Sequence, residues 1–180
     1  MEPIDAPILS DGVVVLGVHE LDDAPLMVAG EDEEMARRFG WFPRRSSLED
    51  AMSAILRWRE SWRQGGEERA FAVRVAERLV GQCELRRGEQ GRANVSWSIL
   101  AADRRRGYGV RAVKLVADWA LAQGFAERLE AYVAPDNQAS LRLAKSAGFR
   151  EEGRLRAWAR GAAGREDMIL LARIAGDDAS

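Results

Sequence analysis

Ser96 to Val116 reads SWSILAADRRRGYGVRAVKLV, and the chain is organised around it. Its first part alternates, with Val95, Trp97 and Ile99 on one face and Ser96, Ser98 and Leu100 on the other, the period of a strand. Its last part places Val110, Val113, Ala117, Ala120 and Leu121 at helical spacing. Between them lies Arg104-Arg105-Arg106-Gly107-Tyr108-Gly109. The first amides of a helix have no partner inside it, and the helix dipole places partial positive charge there. Gly107 and Gly109 remove side chains that would keep a phosphate from the backbone. A strand, a glycine turn and a helix start therefore form a candidate phosphate site. The other reading is a tight turn with a solvated arginine run. No Gly-Lys-Ser/Thr follows, so this is not a P-loop, and the missing third glycine excludes the dinucleotide G-x-G-x-x-G.

Composition bounds the rest. The chain has 180 residues, 47% hydrophobic and 31% charged, which suits one globular domain over residues 1–180 with a sizeable core. No apolar run approaches the ~20 residues of a membrane span. The opening MEPIDAPILSDG lacks the basic n-region of a signal peptide, and a cytoplasmic location is expected. One cysteine, Cys83, leaves no internal disulfide and no cysteine-based zinc cluster. One histidine, His19, argues against a histidine metal site and is expected to be exposed. A net charge of −2 and an isoelectric point near 5.6 argue against nonspecific nucleic-acid binding.

Outward from the central stretch, Gly12–Val18 reads as a short buried strand after a loose lead-in. Glu20–Ala29 reads as a short helix and Gly30–Arg45 as an irregular segment carrying Trp41 and Phe42, either a substrate-side loop or a plug at the core edge. Ser46-x-x-Glu49 is a capping box for a helix to about Arg63, with Leu48, Met52, Ile55, Arg59 and Trp62 on one stripe. Ala70–Ala76, Leu79–Arg87 and Arg92–Leu100 form a meander, the helix after the glycine turn ends at Gly124, and Arg128–Ala134 is a strand. Asn137 caps a helix to about Ala147, and Phe149–Trp158 and Glu166–Ile174 are the last strands, joined by a turn at Gly161–Arg165. The order β-α-α-β-β-β-α-β-α-β-β predicts an α/β fold: one mixed sheet covered by helices.

With that order, two segments can be read together. Arg104-x-x-Gly107-x-Gly109 resembles the pyrophosphate loop of the GNAT superfamily of acyl-CoA-dependent N-acetyltransferases. Asn137-x-x-Ser140-x-x-Leu143-x-x-x-x-Gly148-Phe149-x-x-Glu152-Gly153 resembles its second motif, in the form found in the Rim-type branch that acetylates ribosomal-protein N-termini. Asp167-Met168-Ile169-Leu170 is similar to the final strand of that branch.

The resemblance implies a mostly antiparallel twisted sheet of about seven strands with four helices. It implies acetyl-CoA as co-substrate, no metal, and a primary amine as acceptor, a protein N-terminus or a small amine. Dimers occur in the branch. The amides of Arg105, Arg106, Gly107, Tyr108 and Gly109 would hold the pyrophosphate, with charge from Arg104, Arg105 and Arg106. The backbone of Ile99 and Leu100 would pair with the pantetheine arm, as an added strand. An N–H near Ile99, where relatives carry a bulge, would receive the oxyanion. Lys145 and Arg142 either reach the adenosine end or form a solvated helix face.

The proton donor departs from much of the superfamily, because the position of the usual tyrosine, seven residues after Asn137, holds Ala144. Ser140 is the candidate acid, as in the Rim-type branch. Glu84 is the candidate base; an α-amine, with a pKa of about 7.7–8.0, needs little help. Asn94 stands where relatives often carry an acid. A non-catalytic acyl-CoA-binding module is the alternative from another class, and an RNA-associated binder, motivated by the arginine run, is a third.

Overall fold

The computed structural model describes residues 4–40, 43–161 and 164–177. Trp41 and Phe42, the middle of the Gly161–Arg165 turn and the last three residues lie outside the described residues. The elements are β1 (Leu9–Ser10), β2 (Val15–Gly17), α1 (Ala24–Gly30), α2 (Glu33–Arg38), α3 (Leu48–Arg63), β3 (Glu68–Val75), β4 (Arg78–Arg87), β5 (Arg92–Ile99), α4 (Tyr108–Ala122), β6 (Arg128–Val133), α5 (Gln138–Ser146), β7 (Arg150–Gly161) and β8 (Gly164–Ile174). Two short 3-10 turns precede α1 and α4.

The eight strands form one sheet in the order β1-β2-β3-β4-β5-β6-β8-β7. Every pairing is antiparallel except β5 with β6. That exception follows from connectivity, because α4 carries the chain from the end of β5 back to the start of β6 as a crossover. The sheet is mixed, as the element order predicts, and mostly antiparallel, as the resemblance implies, with one strand and one helix more. The extra helix, α2, lies in the segment expected to be irregular, and the extra strand, β1, in the lead-in.

The alternation of the meander decides the two faces. Phe71, Val73, Cys83, Leu85, Val95, Leu129 and Leu171 are buried with Val113, Val116, Ala117 and Ala120 of α4, forming the main core. The opposite face carries Ala70, Glu84 and Ser96 in one row and Ala72, Gln82 and Ser98 in the next. A second, smaller cluster forms there from Ala24, Ala51, Ile55, Trp58 and Ala70. The stripe of α3 is turned slightly from the expected one: Ile55, Arg59 and Trp62 are buried as expected, with Ala51 and Trp58, which the sequence places beside the stripe, whereas Leu48 and Met52 are exposed. Its capping box uses Ser47 and Asp50, not Ser46 and Glu49.

His19 corrects another expectation. It is 1% exposed, its Nδ1 is 3.2 Å from Asp23, and its ring lies 5.2 Å from that of Trp58. Arg74 donates to both Asp23 oxygens, and Arg59 donates to the His19 carbonyl and to Glu20. Burial holds the imidazole pKa below its ordinary value, so the ring is neutral.

Candidate active site

The sheet is incomplete where it matters. β5 and β6 pair only through Arg92 with Arg128, Ala93 with Leu129 and Asn94 with Glu130. Beyond Asn94 the two strands share no register, although each continues to its own end. At the fork, Asn94 Nδ2 donates to the Glu130 carbonyl at 3.3 Å.

The neighbouring ladder tells which backbone groups face this gap. The Leu100 N–H donates to Val80 of β4 at 2.9 Å. Antiparallel strands alternate, so Ser98 and Ser96 also turn toward β4, and Trp97 and Ile99 turn toward the gap. This corrects part of the expected pantetheine strip. Leu100 is spent: its N–H is on Val80, its carbonyl accepts from Asp103 at 2.8 Å, and its side chain packs against Gly30. Trp97 and Ile99 are the residues whose backbone groups face the gap. The β4–β5 register runs unbroken from Gly81–Ile99 to Arg87–Ala93, so the bulge expected near Ile99 is not present in that ladder.

At the mouth of the gap the chain turns into α4. Arg105 and Gly107 both adopt left-handed backbone, at φ 61° and 80°. For arginine that conformation carries strain of order 1 kcal/mol or more. Gly107 is the N-cap and supplies no side-chain cap, and no acidic residue stands in the first turn. The opening amides of α4 are therefore uncompensated donors at the positive end of a fifteen-residue helix. Gly109 is needed for a second reason. A Cβ there would lie 2.6 Å from Leu143 Cδ1 and 3.3 Å from Ile99 Cγ1, so its absence lets α4, α5 and the end of β5 close together.

The three arginines have different neighbours. Arg104 does not point to the turn's amides. Its Nη1 and Nη2 hold Asp32 at 2.6 and 2.9 Å, Nη1 also meets Glu34 at 3.1 Å, and Nε donates to the Ile99 carbonyl at 3.1 Å. It fastens α2 to the loop. Arg106 lies 4.0 Å from Asp103, whose carboxyl is held below its usual pKa chiefly by the paired guanidinium of Arg78. Arg105 makes no ion pair among the described residues and is exposed. Tyr108 packs on the main core at the first position of α4.

α5 brings the second motif to the same end. Asn137 Oδ1 accepts from the Ser140 amide at 3.1 Å, an N-cap. Ser140 and Leu143 are three apart, hence on one side of α5, and Leu143 packs at Gly109. The Ser140 hydroxyl therefore lies on the side of α5 that meets the α4 start, and it has no partner among the described residues. Lys145 does not join them. It follows Leu143 by two positions, about 160° round the helix, and its Nζ is 2.8 Å from Glu151. Ala144 is fully buried, so the usual tyrosine position has no room for a ring.

On the sheet face opposite the main core lies a cavity of about 370 Å³ between β4–β5 and α1–α3. Gln82, Glu84, Ser96 and Ser98 form its floor, and Met27, Met35 and Trp58 contribute apolar walls. Glu84 is half-buried opposite Ser96, with Arg86 donating to it at 2.9 Å. Burial raises its pKa above the usual carboxylate value. Glu31, absent from the sequence reading, also lines this cavity.

The β6 side of the gap holds a group that the sequence reading missed. Tyr132 O–H donates to Glu130 at 2.7 Å, and Arg128 Nε donates to the same carboxylate at 2.8 Å. Burial, then the Glu130 bond, pushes the Tyr132 phenol up to about 12. Burial opposes ionisation of Glu130, but the Arg128 and Tyr132 bonds outweigh it and the carboxyl pKa is lowered. The signal was the alternation of Arg128–Val133, which puts Glu130 and Tyr132 on one face.

A forked sheet with an uncapped helix start at its mouth has the backbone edges and the amides that an extended, phosphate-bearing molecule could use. The acetyltransferase (GNAT) domain model matches residues 14–150, and the chain belongs to that family. It is an acetyl-CoA-dependent N-acetyltransferase by membership. No curated protein matches it by sequence. Among solved structures it is similar to Mycobacterium smegmatis RimJ in complex with CoA-disulfide, at 22% identity, TM-score 0.81 and coverage of 94% of this chain and 87% of that one. RimL, a ribosomal alpha-N-protein acetyltransferase in complex with coenzyme A, matches at 15% identity, TM-score 0.84, 96% and 100% coverage. MccE, a microcin self-immunity acetyltransferase in complex with acetyl-CoA and AMP, matches at 15% identity, TM-score 0.82, 91% and 93% coverage. Among the described residues no group of metal-ligating side chains forms, and no helix is long and apolar enough to cross a membrane.

Proposed function

We propose that acetyl-CoA lies in the β5–β6 gap and that a primary amine, a protein N-terminus or a small amine, reaches the thioester from the Glu84 cavity. The observation that carries this reading is the three-pair fork with the open α4 start at its mouth. The amides from Arg105 to Gly109 take the pyrophosphate, with Arg105 and Arg106 adding charge. Trp97 and Ile99 pair with the pantetheine arm, and one of their N–H groups receives the carbonyl oxygen as it becomes an oxyanion.

The neutral amine attacks the thioester carbonyl, a C–N bond forms, and the C–S bond breaks as the thiolate leaves. Glu84, with its raised pKa, takes the proton that the nitrogen sheds, directly or through water. Ser140 donates a hydrogen bond to the departing sulfur. A thiol pKa of about 8.5 makes the thiolate a fair leaving group, so a weak donor suffices. We place the reaction in the cytoplasm, where acetyl-CoA is available.

The test is release of free thiol from acetyl-CoA in the presence of an amine panel. Amine-dependent thiol release supports acetyl transfer. Tight acetyl-CoA binding with no thiol release from any amine, N-terminal peptides included, supports a binding module instead.

A further inference from the structure

The β7–β8 hairpin extends past the end of β6: β8 pairs β6 only from Val133–Ile169 to Arg128–Ile174, but pairs β7 as far as Gly161–Gly164. Within that arm the register breaks between Leu155 and Ala159, where Arg156, Ala157 and Trp158 stand opposite Asp167 alone. Ala157 takes left-handed backbone at φ 51°, which an alanine adopts only at a cost. Two side chains hold it there. Asp167 accepts the Ala157 N–H at 2.7 Å and Arg154 Nε at 2.7 Å. Arg165 Nη1 donates to the Trp158 carbonyl at 3.0 Å and the Ala157 carbonyl at 3.4 Å.

The result of this bulge is one placement. The Trp158 ring lies parallel to that of Tyr132, with centroids 5.6 Å apart and planes 13° from parallel. Tyr132 is fixed in turn by Glu130, at the fork of the gap. Trp158 is nonetheless 53% exposed, so the stack is not core packing. A strained, doubly fastened bulge that lays a half-exposed indole beside a substrate gap is a device for presenting a flat apolar surface.

We propose that Trp158, held by the Ala157 bulge and backed by Tyr132, is a specificity-determining residue for the acceptor, stacking on a planar aromatic group carried next to the amine. This rests on the proposed reading of the gap as the acetyl-transfer site. Aromatic rings stack in offset fashion on an exposed indole and gain more than an aliphatic group of similar size. Asp167 and Arg165 act only as positioning residues.

The test uses L-phenylalaninamide, L-leucinamide and L-alaninamide as acceptors, each titrated calorimetrically into the CoA-loaded protein and assayed for turnover. Wild type is expected to bind phenylalaninamide more tightly than leucinamide. Trp158→Ala removes that preference and raises KM for phenylalaninamide about fivefold, with KM for acetyl-CoA unchanged. Trp158→Phe keeps the preference, and Ala157→Gly, which relieves the backbone without moving the ring, keeps it too. A wild type indifferent to the aromatic side chain, or a Trp158→Ala variant that retains the preference, overturns the proposal. Preference in binding without turnover overturns the acetyl-transfer reading alone. Turnover without preference overturns this one alone.

Discussion

Gly109→Val tests the pyrophosphate loop through packing. A Cβ at Gly109 meets Leu143 Cδ1 at 2.6 Å and Ile99 Cγ1 at 3.3 Å, and the valine methyls add to that crowding. Leu143 Cδ1 is the end of a flexible side chain and can yield. Ile99 belongs to β5 and yields less, so the start of α4 has to shift. Overpacking of this kind costs about 1–3 kcal/mol. For a chain of this length each kcal/mol lowers Tm by about 2–4 °C. The shift also re-aims the first amides of α4. A hydrogen bond to a charged group is worth about 1.5–3 kcal/mol, so misaligning one weakens acetyl-CoA binding about tenfold or more. Calorimetric titration with acetyl-CoA reads the affinity, and thermal unfolding reads the fold. Adding Leu143→Ala removes one clashing side chain, so the stability effects of the two changes should be non-additive. If Gly109→Val stays folded and binds acetyl-CoA with wild-type affinity, the amides of this turn do not hold the pyrophosphate.

Ser140→Ala should lower kcat about tenfold to a hundredfold, or ~1.4–2.7 kcal/mol of barrier, with little change in KM for acetyl-CoA; a wild-type rate under conditions where chemistry limits would assign the proton to water. Ala144→Tyr should not rescue that variant, because the position is fully buried, and a drop in Tm by thermal unfolding should report the overpacked ring. His19 is the chain's single histidine and is kept neutral by burial, with Asp23, Arg74, Glu20 and Arg59 around it. Its folded pKa lies below the unfolded value of ~6.5, so the unfolded chain takes up the proton first. Stability should fall as pH drops through and below ~6.5. The imidazole resonance should show no titration above that pH, and the loss should flatten in His19→Gln.

What the sequence revealed and what it hid separate along a physical line. The strand-turn-helix of Ser96–Val116 was legible because every requirement is local: alternation, two glycines, then helical spacing. So were the Asn137 cap and its helix. The partner of Arg104 was not, since Asp32 lies seventy-two residues away, as the N-cap of a six-residue helix too short to show a stripe. Leu100 continued the alternation of β5, and alternation cannot say where a ladder ends and a carbonyl is recruited by Asp103. The capping box was read one residue early: Ser46-x-x-Glu49 fits the pattern, but the helix begins at Leu48 and Ser47 and Asp50 form the box. His19 was misread because its neighbours come from far along the chain: Trp58 lies beside its ring and Arg59 holds its carbonyl. Trp158 needed a bulge, which no period announces.

The fork leaves an unusual thing in the middle of a sheet: two facing edges. Among the described residues, β5 from Trp97 onward and β6 from Ala131 onward offer one side to nothing except the Arg104 guanidinium on the Ile99 carbonyl. Unpaired strand edges are templates for another chain, and natural proteins shield those at the rim with charge, bulges or a covering loop. These two lie inside the sheet, where shielding would abolish the site. If acetyl-CoA lies there as proposed, the small-molecule partner itself covers the two edges. On the proposed reading, acetyl-CoA joins the two halves of the sheet along the gap; without it they are paired there through three residue pairs.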